Sequence, residues 1–146
     1  MEIALQEARA AAARGEVPVG AVVTDAAGTV LARAGNEVEA RRDPSAHAEM
    51  LALRAAAAAA GEKVLPEATL WVTLEPCAMC AAAISFFRLR RLVFGAYDPK
   101  GGAVEHGPRF FAQPTCHHAP EIVGGVRESE AAALLRSFFE DLRHPG

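Results

Sequence analysis

Two short motifs in this 146-residue chain combine residue types that bind metals and transfer protons. One is HAE at residues 47–49, and the other is PCAMC at residues 76–80, separated from the apolar segment ATLWVTL by Glu75 alone. Two cysteines three positions apart can form a metal site, a redox pair, or a turn in which small side chains pack. A redox pair would leave His47 and Glu49 without a role, so a metal site accounts for more of the residues.

Zinc suits a ligand set of one imidazole and two thiolates. Cys77 and Cys80 lie almost one helical turn apart, so both can face one ion, while His47 would come from a neighbouring helix. The free N–H groups and the dipole at a helix N-terminus favour negatively charged thiolates. Three protein ligands leave a fourth position for water, as in catalytic zinc sites. The sequence therefore predicts a catalytic zinc ion held by His47, Cys77 and Cys80.

Glu49 is the residue expected to transfer protons at this ion. Zinc with two thiolates is formally neutral, so a nearby carboxyl group that takes and returns a proton of the water becomes useful. Glu49 follows His47 by two positions and points in a different direction around the helix, so we do not expect it to be a fourth ligand.

Composition limits the remaining possibilities. A length of 146 residues suits a single domain spanning residues 1–146. The chain has neither an apolar run of about 20 residues nor a secretory pattern at its N-terminus, so we expect a cytoplasmic protein without a membrane partner. Three cysteines, an odd number, argue against a disulfide framework. The net charge of −3 does not decide about nucleic acid, but Arg88, Arg90 and Arg91 cluster, as do Arg41 and Arg42.

Helices and strands alternate along the chain, and the two motifs fall between them. The second helix is expected to begin with Asp43 or Ser45 as N-cap and to end at Gly61. Residues 98 to 120 are expected to be mostly loop, with a short element near PRFFA. The predicted elements are a helix (2–15), a hairpin (17–25 and 29–35), a helix (43–61), a strand (68–74), a helix (77–88), a strand (91–97), a short strand (121–126) and a helix (128–143).

This order predicts an α/β fold, a three-layer α/β/α sandwich with a mixed sheet of about five strands. In such folds ligands bind beyond the strand ends, where loops lead into helix N-termini. Both motifs occupy positions of that kind.

The motifs also carry a family resemblance. H-x-E followed by P-C-x-x-C is the signature of the zinc nucleobase deaminases. The longer segments EVPVGAVV, DPSAHAEMLALR, LWVTLEPCAMCAAAI and FGAYDPKGGA resemble the bacterial tRNA-specific adenosine deaminases, which convert the wobble adenosine of an arginine tRNA anticodon to inosine. The resemblance implies the cytidine-deaminase fold, one zinc ion per subunit, the tRNA anticodon arm as substrate, a homodimer that shares its RNA site, and no nucleotide cofactor.

Carried over position by position, the resemblance makes His47, Cys77 and Cys80 the zinc ligands and Glu49 the proton shuttle. Water activated at the zinc would attack the amino-bearing carbon of the purine, and ammonia would leave. The residues that it implies for substrate binding are Val19 as a pocket wall, Asn36 as a hydrogen-bonding partner of the nucleotide, the backbone of Ala48 and Glu75 at the base edge, Asp98 and Lys100 beside the flipped base, and Arg88.

Other interpretations stay open at this point. Phe86 and Phe87 replace a histidine and a serine of the family pattern, which leaves room for a deaminase of a free base or nucleoside of the guanine, cytosine or cytidine type. A catalytically silent RNA-binding relative is a third hypothesis, although all four motif residues are present.

Several single residues also have a purely structural interpretation. Asn36 and Asp98 could stabilise turns, and the arginines 88–91 could form a solvated helix end. Phe138 and Phe139 suit the core or an interface better than a base-stacking surface, although one of them could close the site. The segment Cys116-His117-His118 could supply a fourth ligand or a second metal site, but Cys116 is expected to be a packed residue in a polar loop.

Overall fold

The computed structural model describes residues 1–144 of the chain. In chain order the elements are α1 (Glu2–Ala13), β1 (Gly20–Thr24), β2 (Val30–Gly35), α2 (Val38–Arg41), α3 (Ala48–Ala60), β3 (Thr69–Leu74), α4 (Ala78–Phe86), β4 (Arg91–Ala96), a 3₁₀ turn (Phe110–Ala112), β5 (Glu121–Val123) and α5 (Glu128–Arg143).

The five strands form one mixed sheet in the order β2-β1-β3-β4-β5. β1 pairs antiparallel with both β2 and β3, whereas β3, β4 and β5 run parallel to one another. Helices α1 and α5 contact each other on one face of this sheet, and α3 and α4 lie together on the other. The predicted three-layer α/β/α sandwich with about five strands is therefore confirmed.

The larger core lies between the sheet and the pair α3 and α4. It contains Leu70, Phe94, Leu53 and Ile84, none of which is exposed. A smaller cluster of Leu5, Ala96 and Ala131 joins α1 and α5 on the opposite face. Apolar side chains thus pack against both pairs of helices, which fixes the sheet relative to both helical layers.

The sequence prediction was wrong about the start of α3. Neither Asp43 nor Ser45 is the N-cap, because the Asp43 carboxylate accepts hydrogen bonds from the backbone N–H and the hydroxyl of Ser45 at 2.8 and 2.7 Å. The two residues close a turn, and the helix begins at Ala48, with His47 in the cap position. His47 keeps an extended backbone (φ −71°, ψ 149°), which places its side chain at the very start of the helix.

Helix α2 was not predicted, since four residues carry too little periodicity to detect. Its first turn depends on Glu16, whose carboxylate accepts from the backbone N–H groups of Glu39 and Ala40 at 2.9 and 2.8 Å. Glu16 is 1% exposed, so a buried side chain 23 residues away along the chain caps this short helix.

Within residues 1–144, none of the helices combines the length and the apolar character needed to span a bilayer.

Gly20 sits where α1 crosses β1, with no room for a side chain. A Cβ atom there would overlap the carbonyl oxygen of Ala4 and lie 2.6 Å from the backbone nitrogen of Ala8. We expect Gly20→Ala to lower the free energy of unfolding by about 3 kcal/mol, because helix backbone has to move. Urea unfolding of the zinc-loaded protein measures this loss.

Gly61→Ala is the matched control. Its Cβ would meet nothing within 4 Å, although φ is +67°. We therefore expect only the cost of the left-handed conformation, about 1 kcal/mol. Equal losses in the two variants would contradict the close packing of α1 on β1.

Candidate active site

Three potential metal ligands meet where two helices begin. His47 is the cap residue of α3, Cys77 is the cap residue of α4, and Cys80 lies in the first turn of α4. The Nδ1 atom of His47 lies 3.6 Å from the sulfur of Cys77 and 3.6 Å from that of Cys80. All three donor atoms lie within 4.8 Å of one another, and no other such group of three occurs among residues 1–144.

This spacing fits zinc. A tetrahedral ion with Zn–S bonds of about 2.3 Å and a Zn–N bond of about 2.0–2.1 Å holds nitrogen and sulfur about 3.6 Å apart. That is the separation found here from Nδ1 to both sulfurs. His47 and Cys77 also line a cavity, so the fourth position of a tetrahedral site faces a space that can hold water and substrate. The three residues thus have the donor types, spacing and opening of a catalytic zinc site.

The electrostatics favour a thiolate at this point. A hydrogen bond from Cys80, together with the nearby His47, lowers the pKa of Cys77 to about 4, although partial burial opposes the shift. The same hydrogen bond and burial raise the pKa of Cys80. The hydrogen bond with Cys77 is also the main reason why the pKa of His47 is raised. The N-terminus of α4 therefore carries a thiolate ready to bind a cation.

Glu49 lies in the first turn of α3, two residues after His47, and it lines the same cavity. It is only 4% exposed. Burial raises the pKa of its carboxyl group, which favours the protonated form compared with a surface glutamate. A carboxyl group with a raised pKa beside an open metal position can both accept and donate a proton near neutral pH.

The cavity has a volume of about 840 Å³, towards the upper end of the range of small-ligand pockets. Its walls come from the loop before β1, the segment after β2, the starts of α3 and α4, the loop after β4, and the end of α5. The residues that line it are Gly15, Glu16, Val17, Val19, Asn36, Val38, Glu39, Pro44, His47, Ala48, Glu49, Leu74, Glu75, Cys77, Asp98, Gly101, Phe138, Phe139 and Leu142.

Most substrate-binding residues implied by the resemblance lie on this cavity, namely Val19, Asn36, Ala48, Glu75 and Asp98. Asn36 is 7% exposed, and its side-chain oxygen is the one buried side-chain N or O atom within residues 1–144 that has no hydrogen-bond partner. A buried polar atom without a partner is costly, and a ligand in the cavity would supply the missing donor. The oxygen of Asn36 therefore does not stabilise a turn.

Glu75 and Asp98 line the cavity and also make hydrogen bonds within the protein. The N–H of Glu75 already donates to the carbonyl of Ala96 at 2.8 Å, so only its carbonyl is free to meet a base edge. The carboxylate of Asp98 accepts from the backbone N–H groups of Lys100 and Gly101 at 3.2 and 3.0 Å, and it thereby stabilises a turn on the cavity wall. Asp98 therefore both stabilises a turn and lines the cavity.

The structure does not bring Lys100 or Arg88 onto the cavity wall. Lys100 is exposed in the turn that Asp98 stabilises. Arg88 is exposed just after α4 and has a left-handed backbone (φ 58°). Both positions could be reached only by a ligand that extends beyond the cavity.

For two aromatic residues of α5, the sequence favoured the core or an interface and left open that one of them closes the site. Phe138 and Phe139 line the cavity, and Phe139 is 42% exposed, so it is not a core residue. Their rings lie edge to face at a centroid distance of 5.4 Å. Helical periodicity could show that these residues lie near one side of α5, but not that this side faces the site.

The segment Cys116-His117-His118 belongs to no group of three metal-ligating atoms among the described residues. The Cys116 sulfur lies 3.7 Å from the Ser85 hydroxyl and 3.2 Å from the carbonyl of His118. The His118 Nε2 atom is 2.7 Å from the carbonyl of Leu89. These contacts attach the loop to the end of α4, in agreement with the interpretation of Cys116 as a packed residue.

Comparison with known proteins assigns the family. Residues 1–96 match the family model of the cytidine and deoxycytidylate deaminase zinc-binding region. The chain is 60% identical over 144 residues to the tRNA-specific adenosine deaminase of Agrobacterium fabrum (strain C58), covering 98% of this chain and 93% of the relative.

Two solved structures agree with this assignment. One, from a study of A-to-I editing by tRNA:A34 deaminases at the wobble position of transfer RNA, is 59% identical with a TM-score of 0.90 and covers 92% of this chain and 97% of its own. The guanine deaminase of Nitrosomonas europaea is 28% identical with a TM-score of 0.79, covering 94% and 81%. The nearly full-length match at high identity decides between these two, and the chain belongs to the tRNA-specific adenosine deaminase family, whose zinc-binding region it carries.

Proposed function

We propose that this chain is a zinc-dependent hydrolytic deaminase that converts adenosine to inosine at the wobble position of tRNA. The observation that carries the proposal is the shared cavity of His47, Cys77 and Glu49, in a chain 60% identical to a tRNA-specific adenosine deaminase. In this proposal the chain is a single domain, residues 1–146. The enzyme acts in the cytoplasm, and its substrate is the anticodon arm of an arginine tRNA.

The proton transfers are assigned to Glu49. His47, Cys77 and Cys80 would hold a zinc ion, which would lower the pKa of a water molecule and so supply the nucleophile. Glu49 would take one proton from that water and deliver it to a ring nitrogen of the purine. It would then take the second proton from the hydroxyl group added to the carbon and deliver it to the amino group, which leaves as ammonia. Burial of Glu49 suits this alternation, because the raised pKa brings the carboxyl group closer to the working pH.

The cavity wall holds the target base beside Glu49. The free side-chain oxygen of Asn36 accepts a hydrogen bond from the nucleotide, and Val19 provides an apolar wall. The backbone of Ala48, in the first turn of α3, meets the base edge together with the free carbonyl of Glu75. A hydrogen bond to this buried, unpartnered oxygen orients the base without requiring new charge in the site.

The remainder of the cavity favours an RNA substrate over a free base. Phe138, Phe139 and Leu142 extend the lining well beyond the metal ligands and offer an apolar surface on which a neighbouring base can stack. Arg42 is exposed two residues before Pro44 on the cavity wall, whereas the neighbouring Arg41 is paired with Glu37 at 3.4 Å. Positive charge at this rim suits the phosphates of a nucleotide chain.

A second candidate, deamination of a free base, is favoured by the similarity to the guanine deaminase of Nitrosomonas europaea. The two candidates share the zinc chemistry and differ in what fills the outer cavity. The discriminating experiment is inosine formation in an arginine tRNA anticodon stem-loop with adenosine at the wobble position, beside free adenosine, guanine, cytosine and cytidine. Turnover of a free base with an unchanged stem-loop would replace the proposed substrate.

We also propose a homodimer. The outer face of α4 carries no charged residue, and it exposes Ala78 and Phe86, with Met79 and Ala82 half-buried between them. Phe86 is 77% exposed, more than the other exposed large apolar side chains found in residues 1–144. An uncharged apolar helix surface of this kind suits burial against a second copy of the chain.

The zinc assignment predicts metal content. We expect His47→Ala, Cys77→Ala and Cys80→Ala each to reduce zinc to below about one tenth of an ion per chain, because two remaining ligands hold zinc poorly. Cys116→Ala is the matched cysteine control and should keep one ion. Elemental analysis of purified protein by mass spectrometry measures both. Loss of zinc from the Cys116 variant, or retention in the other three, would contradict the assigned ligand set.

The catalytic assignment predicts loss of turnover without loss of metal. Glu49→Gln keeps the shape of the side chain but cannot accept a proton, so inosine formation in the stem-loop should fall by about 10²–10⁴-fold at unchanged zinc content. Glu121→Gln removes an exposed carboxylate that pairs with Arg91 and should leave the rate unchanged. Full activity of the Glu49 variant would exclude Glu49 as the proton carrier.

The dimer predicts a change of mass on introducing charge into α4. Phe86→Asp should convert the protein to monomers in sedimentation velocity, because a buried, unpaired carboxylate opposes association. Val30→Asp introduces the same charge at a 39% exposed apolar residue of the edge strand β2 and should leave the dimer intact. A dimeric Phe86 variant would place the interface elsewhere.

A further inference from the structure

A second buried glutamate lies beside the metal ligands and is not used by the proposed chemistry. Glu75 directly follows β3 and precedes Pro76 and Cys77. Its side chain is 0% exposed. Apart from its carbonyl at the base edge, the proposed reaction gives this residue no role, yet a buried carboxylate is costly unless it is fully hydrogen-bonded.

Within residues 1–144, the hydrogen-bond partners of this carboxylate all lie in one loop, residues 98–106. Oε2 accepts from the backbone N–H groups of Val104, Glu105 and His106 at 3.1, 2.9 and 3.2 Å. Oε1 accepts from the backbone N–H of Asp98 at 2.9 Å and lies 2.8 Å from the Nδ1 atom of His106. Three consecutive N–H groups that converge on one oxygen form an anion-binding nest, and here the anion belongs to the chain itself.

The loop fits closely around this anion. A Cβ atom at Gly102 would lie 2.6 Å from Oε2 of Glu75 and 2.6 Å from the carbonyl oxygen of Asp98, so a side chain cannot be accommodated. The loop also donates from Ala103 to the carbonyl of Pro76 at 2.8 Å. The loop backbone is therefore fixed to the residues that lead into the metal-binding turn.

The same loop forms part of the cavity wall. Asp98 and Gly101 line the cavity, and Asp98 gives its backbone N–H to Glu75. Glu75 thus connects the strand end that delivers Cys77 with the segment that carries Asp98.

We infer that Glu75 and His106 form a clasp that positions loop 98–106 for the RNA, so that Asp98 meets the nucleotides beside the target base. Glu75 is a positioning residue in this role, since its carboxylate acts through the loop and not on the base. His106 closes the clasp from the solvent side, with 34% of its side chain exposed and its ring edge-to-face with Tyr97. The inference rests on the proposed function, because it names the wall that recognises the RNA.

His106→Ala tests the clasp with little risk to folding, because the side chain is partly exposed. Losing a hydrogen bond to a charged group should raise the KM for the anticodon stem-loop about five- to tenfold. The kcat should change by less than about twofold, since the metal ligands and Glu49 are untouched. His106→Asn places an amide nitrogen where Nδ1 lies and should restore KM to within about twofold of the wild type.

Glu75→Gln tests the centre of the clasp. Its amide NH₂ would face N–H donors, so we expect a larger rise in KM and faster hydrogen exchange at the amides of residues 104–106. Glu121→Gln is the matched control, because it removes an exposed carboxylate that pairs with Arg91 at the start of β4, whereas the loop follows the end of that strand, and it should change neither KM nor exchange. If Glu75→Gln does not fold, the two His106 variants decide the question alone.

The outcomes separate two kinds of failure. If the wild type converts the stem-loop and His106→Ala leaves KM unchanged, the clasp does not position the loop for RNA and the inference is overturned. A fall in kcat that follows the folded fraction, at constant KM, would likewise show a purely structural role. If the wild type does not convert the stem-loop at all, the proposed function fails first and the inference fails with it.

Discussion

The site depends on two helices whose N-termini meet at one point. α3 begins after His47 and α4 after Cys77, and both cap residues have extended backbones that direct their side chains into the gap between the helices. The free N–H groups at both ends favour negative charge there, which suits thiolates and, later, the electron-rich transition state. The parallel pair β3 and β4 brings the cysteines and the Asp98 loop to the same edge of the sheet, because the cysteines follow the end of β3 and the loop follows the end of β4.

Three buried glutamates have different roles because their surroundings differ: two hold parts of the backbone in place, and one is placed to transfer protons. Glu16 and Glu75 are each surrounded by backbone N–H donors, and they hold α2 and loop 98–106 in place on two walls of the cavity. For Glu75 these donors lower the pKa. Burial is the largest single influence on both carboxyl groups, but the donors around Glu75 together outweigh it, whereas those around Glu49 do not, so the pKa of Glu49 is raised. A carboxylate with several donors remains an anchor, whereas one without them can exchange protons.

The sequence predicted most of what depends on local pattern, and it failed where one residue suits two local structures or where distant contacts decide. The helices, the strands and the ligand set follow from periodicity, capping residues and the spacing of two short motifs. The prediction of where α3 begins was wrong because Asp43 accepts hydrogen bonds from Ser45 and does not cap the helix. Aspartate and serine suit a turn as well as a helix cap, so the residue types could not decide between them. The anchoring role of Glu75 could not be predicted, because its partners lie 23 to 31 residues further along the chain.

The departures from the family pattern at Phe86 and Phe87 have a different meaning in three dimensions. Neither residue lines the cavity. Phe86 is exposed on the outer face of α4, and Phe87 packs against the larger core. Replacing polar residues at these positions therefore changes the surface of α4 and not the space around the base, so it does not favour a free-base substrate. The choice between substrates falls to the outer wall, which is formed by Phe138 and Phe139 together with Asp98 and its anchored loop.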